Sequence, residues 1–257
     1  MDNKMNNNYM DNNNMNDNNN MPPADKIIVA LDTDNRETAL LIAKQIAPVI
    51  KTVKVGMELY YSVGPSIIED LHKLDLRVFV DLKIHDIPNT AAGAAKSLTK
   101  TGVWMWNVHV AGGLKMMEKA RESAQEVAKS LDIPMPLLIG VTQLTSTDQS
   151  TLNEQIGINE PIQETVVRYA KLAKAAGLDG VVASAQEVPL IKDACGVEFI
   201  TVTPGIRMTD SSVDDQVRIT TPKQAVELGT DYMVIGRNIT KADNPYQAAV
   251  KIINSFA

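Results

Sequence analysis

The feature that most constrains this chain is a repeat of form. Eight times between residues 25 and 257, a short β-branched run is followed by a polar turn and a stretch of helical period. The runs fall at 26–32, 52–56, 77–83, 104–109, 135–141, 180–184, 198–203 and 232–236. Helices are expected over 35–46, 65–74, 90–101, 114–130, 162–176, 185–194, 222–228 and 245–255. Strand–helix alternation predicts a parallel sheet, and eight such units predict an α/β fold of one type, a single (β/α)8 TIM barrel. An open doubly wound sheet is the alternative. Its glycine-rich phosphate fingerprint is missing after the first run, where Asp32-Thr-Asp-Asn-Arg36 stands instead.

Composition narrows the classes further. The chain has 257 residues, 44% hydrophobic and 22% charged, which suits a globular protein. Its net charge of −6, with Lys and Arg spread throughout, offers no nucleic-acid surface, so an anionic ligand must be met by a local cluster. One cysteine, Cys195, excludes an internal disulfide and fits a reducing, cytoplasmic setting. No apolar run reaches the roughly 20 residues that span a bilayer. Residues 1–24 are expected to be a disordered Asn-rich tail, and 25–257 the barrel domain.

Chemistry concentrates where the third run becomes a helix, at Phe79-Val-Asp-Leu-Lys-Ile-His-Asp-Ile-Pro-Asn-Thr90. Strand side chains alternate with period two, so Asp81 and Lys83 are expected on one face. On a barrel they lie at the carboxyl ends of strands, the face that carries active sites. Asp32 ends the first run and Lys54 lies on the second, so both are expected beside Asp81 and Lys83, with Asp86 just beyond. Each could be a structural ion pair at the sheet rim; their convergence at one barrel end favours a site. Two connections, 143–161 and 204–221, are long, and the second is a candidate lid. Gly236-Arg237-Asn238 follows the eighth run, where such barrels bind phosphate, and Arg207 and Gln216 on the preceding loop could reach the same group.

The remaining residue types say less. His72 is expected to be solvated, His85 to orient its neighbours and His109 to be structural. Cys195 is read as a small apolar residue at a helix end. No His or Cys cluster has transition-metal spacing, while Mg2+ held by carboxylates stays open. There is no Gly-x-Ser-x-Gly elbow.

The segment Asp81-Leu-Lys-Ile-His-Asp-Ile-Pro-Asn-Thr90 resembles the signature of the orotidine 5′-phosphate decarboxylase family, in its bacterial form. The likeness runs in register through Ile28–Asp32, Lys54–Glu58, Asn107–Gly113, Val141–Ser146, Thr203-Pro204-Gly-Ile-Arg207, Asp215-Gln216 and Gly236-Arg237. The Asn-rich tail and the bulky Trp104 and Trp106 depart from it. The resemblance implies a cofactor-free barrel, with no metal, that acts as a homodimer and decarboxylates orotidine 5′-phosphate to UMP. It makes Lys54, Asp81, Lys83 and Asp86 the catalytic charges, with Asp86 and Thr90 entering the neighbouring subunit's site. By the same likeness, Asp32 and Lys54 meet the ribose and Thr145 or Ser146 the pyrimidine. Pro204, Arg207, Gln216, Gly236 and Arg237 then belong to the phosphate end. Rival readings are a Mg2+-dependent sugar-phosphate decarboxylase or aldolase of the same superfamily, a Schiff-base aldolase using Lys83, and a non-catalytic nucleotide-binding barrel.

Overall fold

The computed structural model describes residues 21–208 and 220–257. The expected tail 1–20 and the centre of the candidate lid, 209–219 with Gln216, lie outside the described residues. Residues 21–24, assigned above to the tail, carry structure. Pro23–Lys26 forms a 3-10 turn, and Met21 packs against the inside of the barrel.

Eight parallel strands pair in chain order and close into a barrel: β1 (Ile27–Ala30), β2 (Thr52–Gly56), β3 (Arg77–Ile84), β4 (Met105–His109), β5 (Leu137–Val141), β6 (Gly180–Val182), β7 (Ile200–Thr203) and β8 (Tyr232–Ile235). The ring shuts where Ile28 aligns with Val234. The outer helices are α1 (Arg36–Ile46), α2 (Met57–Val63), α3 (Ser66–His72), α4 (Pro88–Lys100), α5 (Leu114–Leu131), α6 (Ile162–Ala175), α7 (Val188–Cys195), α8 (Pro222–Glu227), α9 (Arg237–Thr240) and α10 (Pro245–Asn254). No helix among the described residues is long and apolar enough to cross a membrane.

Strand periodicity divides the core into two layers. Ile27, Val78, Trp106, Leu138 and Met233 join the large cluster between sheet and helices. Their chain neighbours Ile28, Phe79, Met105, Ile139 and Tyr232 point the other way and form a separate cluster inside the barrel. Fully burying an aliphatic or aromatic side chain of this kind contributes roughly 1.5–3 kcal/mol. Both faces of these strands are therefore held, and the inward parity continues upward to Asp32, Lys54 and Asp81.

The lower end of the barrel is closed by a mixed plug. The Arg77 guanidinium lies 4.8 Å from the centre of the Trp104 ring and donates to Thr52 Oγ1 at 3.1 Å. Trp104 meets Tyr232 edge to face at 5.3 Å, and burial pushes the Tyr232 phenol up to about 12. Trp106 is instead in the outer layer. Both indole N–H groups are buried without a partner among the described residues. The two tryptophans thus sit away from the upper mouth.

One expectation changes. The single helix expected over 65–74 is preceded by a second one, α2, because Gly64 takes φ 76° and Pro65 follows it, breaking the helix there. The candidate lid is pinned at its base, where Arg207 N–H donates to Thr220 O at 3.0 Å and Thr220 N–H to Gly205 O at 3.2 Å.

Candidate active site

The upper ends of β1, β2 and β3 carry one row of alternating charge. Lys54 Nζ stands 3.2 Å from Asp32 Oδ1 and 3.3 Å from Asp81 Oδ2, and Lys83 Nζ stands 2.7 Å from Asp81 Oδ1. Register explains the meeting: Ala30 aligns with Lys54, and Gly56 with Asp81, so each strand delivers its charge beside the next. Gly56 supplies the room. A Cβ there would lie 3.0 Å from Lys54 Nζ and 3.4 Å from Asp32 Oδ1.

Burial and pairing act in opposition on these groups. Burial pushes the Asp81 carboxyl up, but Lys54, Lys83 and a hydrogen bond from Asn107 bring it down to about 2. Burial pulls the Lys54 ammonium down, and Asp81 and Asp32 outweigh it, leaving the group above its ordinary value. Both are therefore fully ionised at neutral pH, held away from bulk water yet mutually neutralised.

Local backbone geometry brings Lys83 to Asp81 by an unexpected route. Lys83 has φ 50°, in the left-handed region that costs a non-glycine residue roughly 1–2 kcal/mol. The simple alternation expected over 77–83 breaks at Lys83, although its ammonium still meets Asp81. The kink is held by Asn107 on β4, whose carboxamide accepts from Lys83 N–H at 2.8 Å and donates to Asp81 Oδ1 at 2.7 Å. Sequence reasoning assigned Asn107 no role. Its signal was an amide at an inward position of a strand otherwise made of good β-formers.

The row forms one wall of a cavity of about 330 Å³, a size typical of small-molecule sites. Thr145 and Ser146 line it from the connection after β5, Pro204 and Arg207 from that after β7, and Gly236 and Arg237 from the start of α9. Two arginines thus line the cavity that holds the lysine–aspartate row. Asp86 and Thr90 do not enter it. Asp86 is exposed, and its carboxylate accepts from Ile87 N–H at 2.7 Å; no ion pair among the described residues joins it to Lys54 or Lys83 of its own chain. The expectation of Asp86 in one pocket with Asp81 and Lys83 is corrected within a single chain, because the turn before α4 carries it outward.

A second cavity, of about 400 Å³, lies beside the first and includes Tyr61, His85 and Ser97 in its walls. Lys83 lines both. The His85 and His109 rings lie 5.5 Å apart, and burial, then His85 and Lys83, lowers the His109 pKa. His72, expected to be solvated, is half-buried and lowered by that burial. Cys195 is buried at the end of α7 and its thiol is pushed up by burial. Among the described residues, no group of three or more His, Cys, Asp or Glu side chains is gathered to hold a metal ion.

The fold and the site define a (β/α)8 barrel with an ammonium–carboxylate row, buried at Lys54 and Asp81, and a pair of arginines at its carboxyl-end mouth. Residues 25–252 match the family described as orotidine 5′-phosphate decarboxylase / HUMPS, and the chain belongs to that family. A protein of Syntrophomonas wolfei named orotidine 5′-phosphate decarboxylase is 50% identical over 237 residues, 92% of this chain and 99% of the relative. The crystal structure of orotidine 5′-phosphate decarboxylase from Lactobacillus acidophilus superposes with a TM-score of 0.79 at 37% identity, covering 90% of this chain and 99% of that one. That of an uncharacterized conserved protein from Geobacillus kaustophilus gives 0.80 at 42% identity, covering 90% and 100%.

Proposed function

We propose that this chain decarboxylates orotidine 5′-phosphate to UMP and CO2 in pyrimidine biosynthesis, without metal or organic cofactor. The observation that carries the mechanism is the Asp81 carboxylate gripped between two ammonium groups, at 2.7 Å from Lys83 and 3.3 Å from Lys54, in a cavity that also holds Arg207 and Arg237.

The arginines bind the phosphate, with Gln216 and Pro204 at the same end; the planar guanidinium fork suits phosphate oxygens. Asp32 and Lys54 meet the ribose hydroxyls, and Thr145 or Ser146 the pyrimidine edge. The base then lies with C6 at Lys83 and its carboxylate toward Asp81. As the C6–carboxylate bond breaks, its electron pair stays on C6, where the Lys83 ammonium stabilises the growing charge. CO2 departs, and Lys83 transfers one proton to C6 to give UMP. Asp81 repels the substrate carboxylate, a repulsion that ends when neutral CO2 forms. Binding energy from the remote phosphate contributes to closing the 204–221 connection over the site.

We further assign the activity to residues 21–257 of a cytoplasmic homodimer, with no part for 1–20. Asp86 and Thr90 of each subunit complete the neighbour's site, Asp86 as a fifth charge added to the row. Exposed Ile87 (67%), next to Asp86, and Tyr61 (71%), which shares a cavity wall with His85 and Ser97, support an apolar contact there.

The test is loss of orotidine 5′-phosphate absorbance on adding EDTA-treated protein, beside Lys83→Ala. Turnover by the wild type and essentially none by the variant is expected. No turnover without metal, restored by Mg2+, overturns the cofactor-free mechanism; none under either condition overturns the decarboxylase itself.

A further inference from the structure

We propose that Asn107 is a positioning residue for this site, one that sets the Lys83 backbone and orients the Asp81 carboxylate with a single side chain. Its kinetic consequences rest on the decarboxylase reading; its geometric basis does not.

Pairing between β3 and β4 is interrupted just where the site is built. Val80 aligns with Trp106, and the next aligned pair is Ile84 with Val108. Thus β3 advances four residues while β4 advances two, so β3 carries a bulge that includes Asp81, Leu82 and Lys83. In such a bulge the ladder is disrupted, and a buried backbone N–H needs another acceptor. Asn107 lies opposite the bulge, faces inward and is 1% exposed. Its Oδ1 receives the Lys83 N–H at 2.8 Å in place of a ladder carbonyl, which stabilises the left-handed φ of 50° at Lys83.

The other end of the same carboxamide fixes the carboxylate. Asn107 Nδ2 donates to Asp81 Oδ1 at 2.7 Å, the oxygen that also accepts from Lys83 Nζ at 2.7 Å. Asp81 Oδ2 is left to face Lys54 at 3.3 Å. With both oxygens committed, the carboxylate cannot rotate without breaking a bond, and the Lys83 ammonium is held by its own backbone and by its partner at once. Only a side chain with a donor and an acceptor at this reach performs both tasks. An aspartate at 107 accepts from Lys83 but offers Asp81 no donor while ionised, and a hydrophobic residue does neither.

The two halves are separable by Asn107→Ala and the near-isosteric Asn107→Asp. In Asn107→Ala, kcat for orotidine 5′-phosphate is expected to fall roughly 10- to 100-fold, the scale of a misplaced catalytic group. KM is expected to stay within about threefold, since the phosphate and ribose contacts remain. Independently of turnover, 13C NMR of labelled aspartate should show the Asp81 carboxyl titrating higher than in the wild type, because a hydrogen bond to the charged form is gone. Asn107→Asp should likewise lose kcat at neutral pH and regain part of it as pH falls, when the introduced acid protonates and becomes a donor. Unchanged kcat and an unchanged Asp81 titration in folded Asn107→Ala overturn the proposal. If that variant does not fold, the Asp81 titration in Asn107→Ser, which adds no charge and is too short to reach both partners, decides: a rise supports the role and a wild-type value refutes it. A wild type without decarboxylase activity whose Asp81 titration still responds to these changes refutes the reaction and leaves the positioning role standing.

Discussion

Replacing Asp81 by Asn removes one charge from between two cations while nearly preserving shape. With Lys54 at 3.3 Å and Lys83 at 2.7 Å, the gross attractions lost are about 5 and 6 kcal/mol at an effective dielectric of 20. Much of that is offset in the folded protein by the desolvation of the same groups. What remains is the cost of a buried ammonium without its main counter-ion: the Lys54 side chain is 10% exposed, and its other partner, Asp32, is 56% exposed. Breaking a buried pair on one side typically costs about 3–5 kcal/mol, and we expect that loss for Asp81→Asn. Removing the stranded cation as well, in Asp81→Asn with Lys54→Met, should recover at least about 2 kcal/mol of it. The assay is urea unfolding at one protein concentration, which keeps any contribution from assembly constant. A single variant within about 1 kcal/mol of wild type, or a double variant no more stable than the single, refutes the assignment of Asp81 as the counter-ion of Lys54.

Acid should remove the same interaction. The Asp81 carboxyl is depressed from 3.8 to about 2 on folding, so its contribution of roughly 2 kcal/mol is present above pH 4 and lost as pH falls through 2. Asp81→Asn should flatten that part of the stability–pH curve, and an unchanged slope there refutes the prediction. Gly56→Ala puts a Cβ 3.0 Å from Lys54 Nζ at a backbone conformation open to alanine, φ −86°. We expect roughly a tenfold loss of kcat/KM with circular dichroism unchanged; full activity would show that the ammonium has room to spare. Arg237→Ala should cut kcat/KM by roughly 100-fold or more through the lost phosphate contact, while thermal unfolding stays near that of wild type. Kinetics like those of wild type would remove Arg237 from the phosphate site.

The barrel was readable because β-branched runs and helical stretches alternate eight times. Period-two parity then put Asp81 and Lys83 on one face, and neighbouring strand ends put Asp32 and Lys54 beside them. Helix starts were also legible: Asn35, at the expected start of α1, caps it by accepting from Thr38 N–H at 2.8 Å. Other features depend on contacts that residue order does not encode. Nothing local marks Lys83 as left-handed, since lysine has no preference for that region; the conformation follows from a bulge against β4 and from Asn107, 24 residues away. The outward turn of Asp86 was hidden for the same reason, because a carboxylate five residues after Asp81 reads as a neighbour until the start of α4 is drawn. Met57–Val63 read as loop because short helices signal weakly, and Gly64-Pro65 looked like a turn leading into one helix.

The parity that aims the charged row inward has a consequence for assembly of the barrel. Lys54 sits between Val53 and Val55, which face the apolar layer under the helices. A slip of β2 by one residue would exchange these faces, driving the ammonium into hydrocarbon and both valines toward the polar mouth. An unpaired charge there is far costlier than a misplaced methyl group. The residues proposed to act on substrate therefore also penalise misaligned closure, and a variant with Lys54 replaced by a branched aliphatic residue should tolerate alternative strand registers that the natural chain excludes.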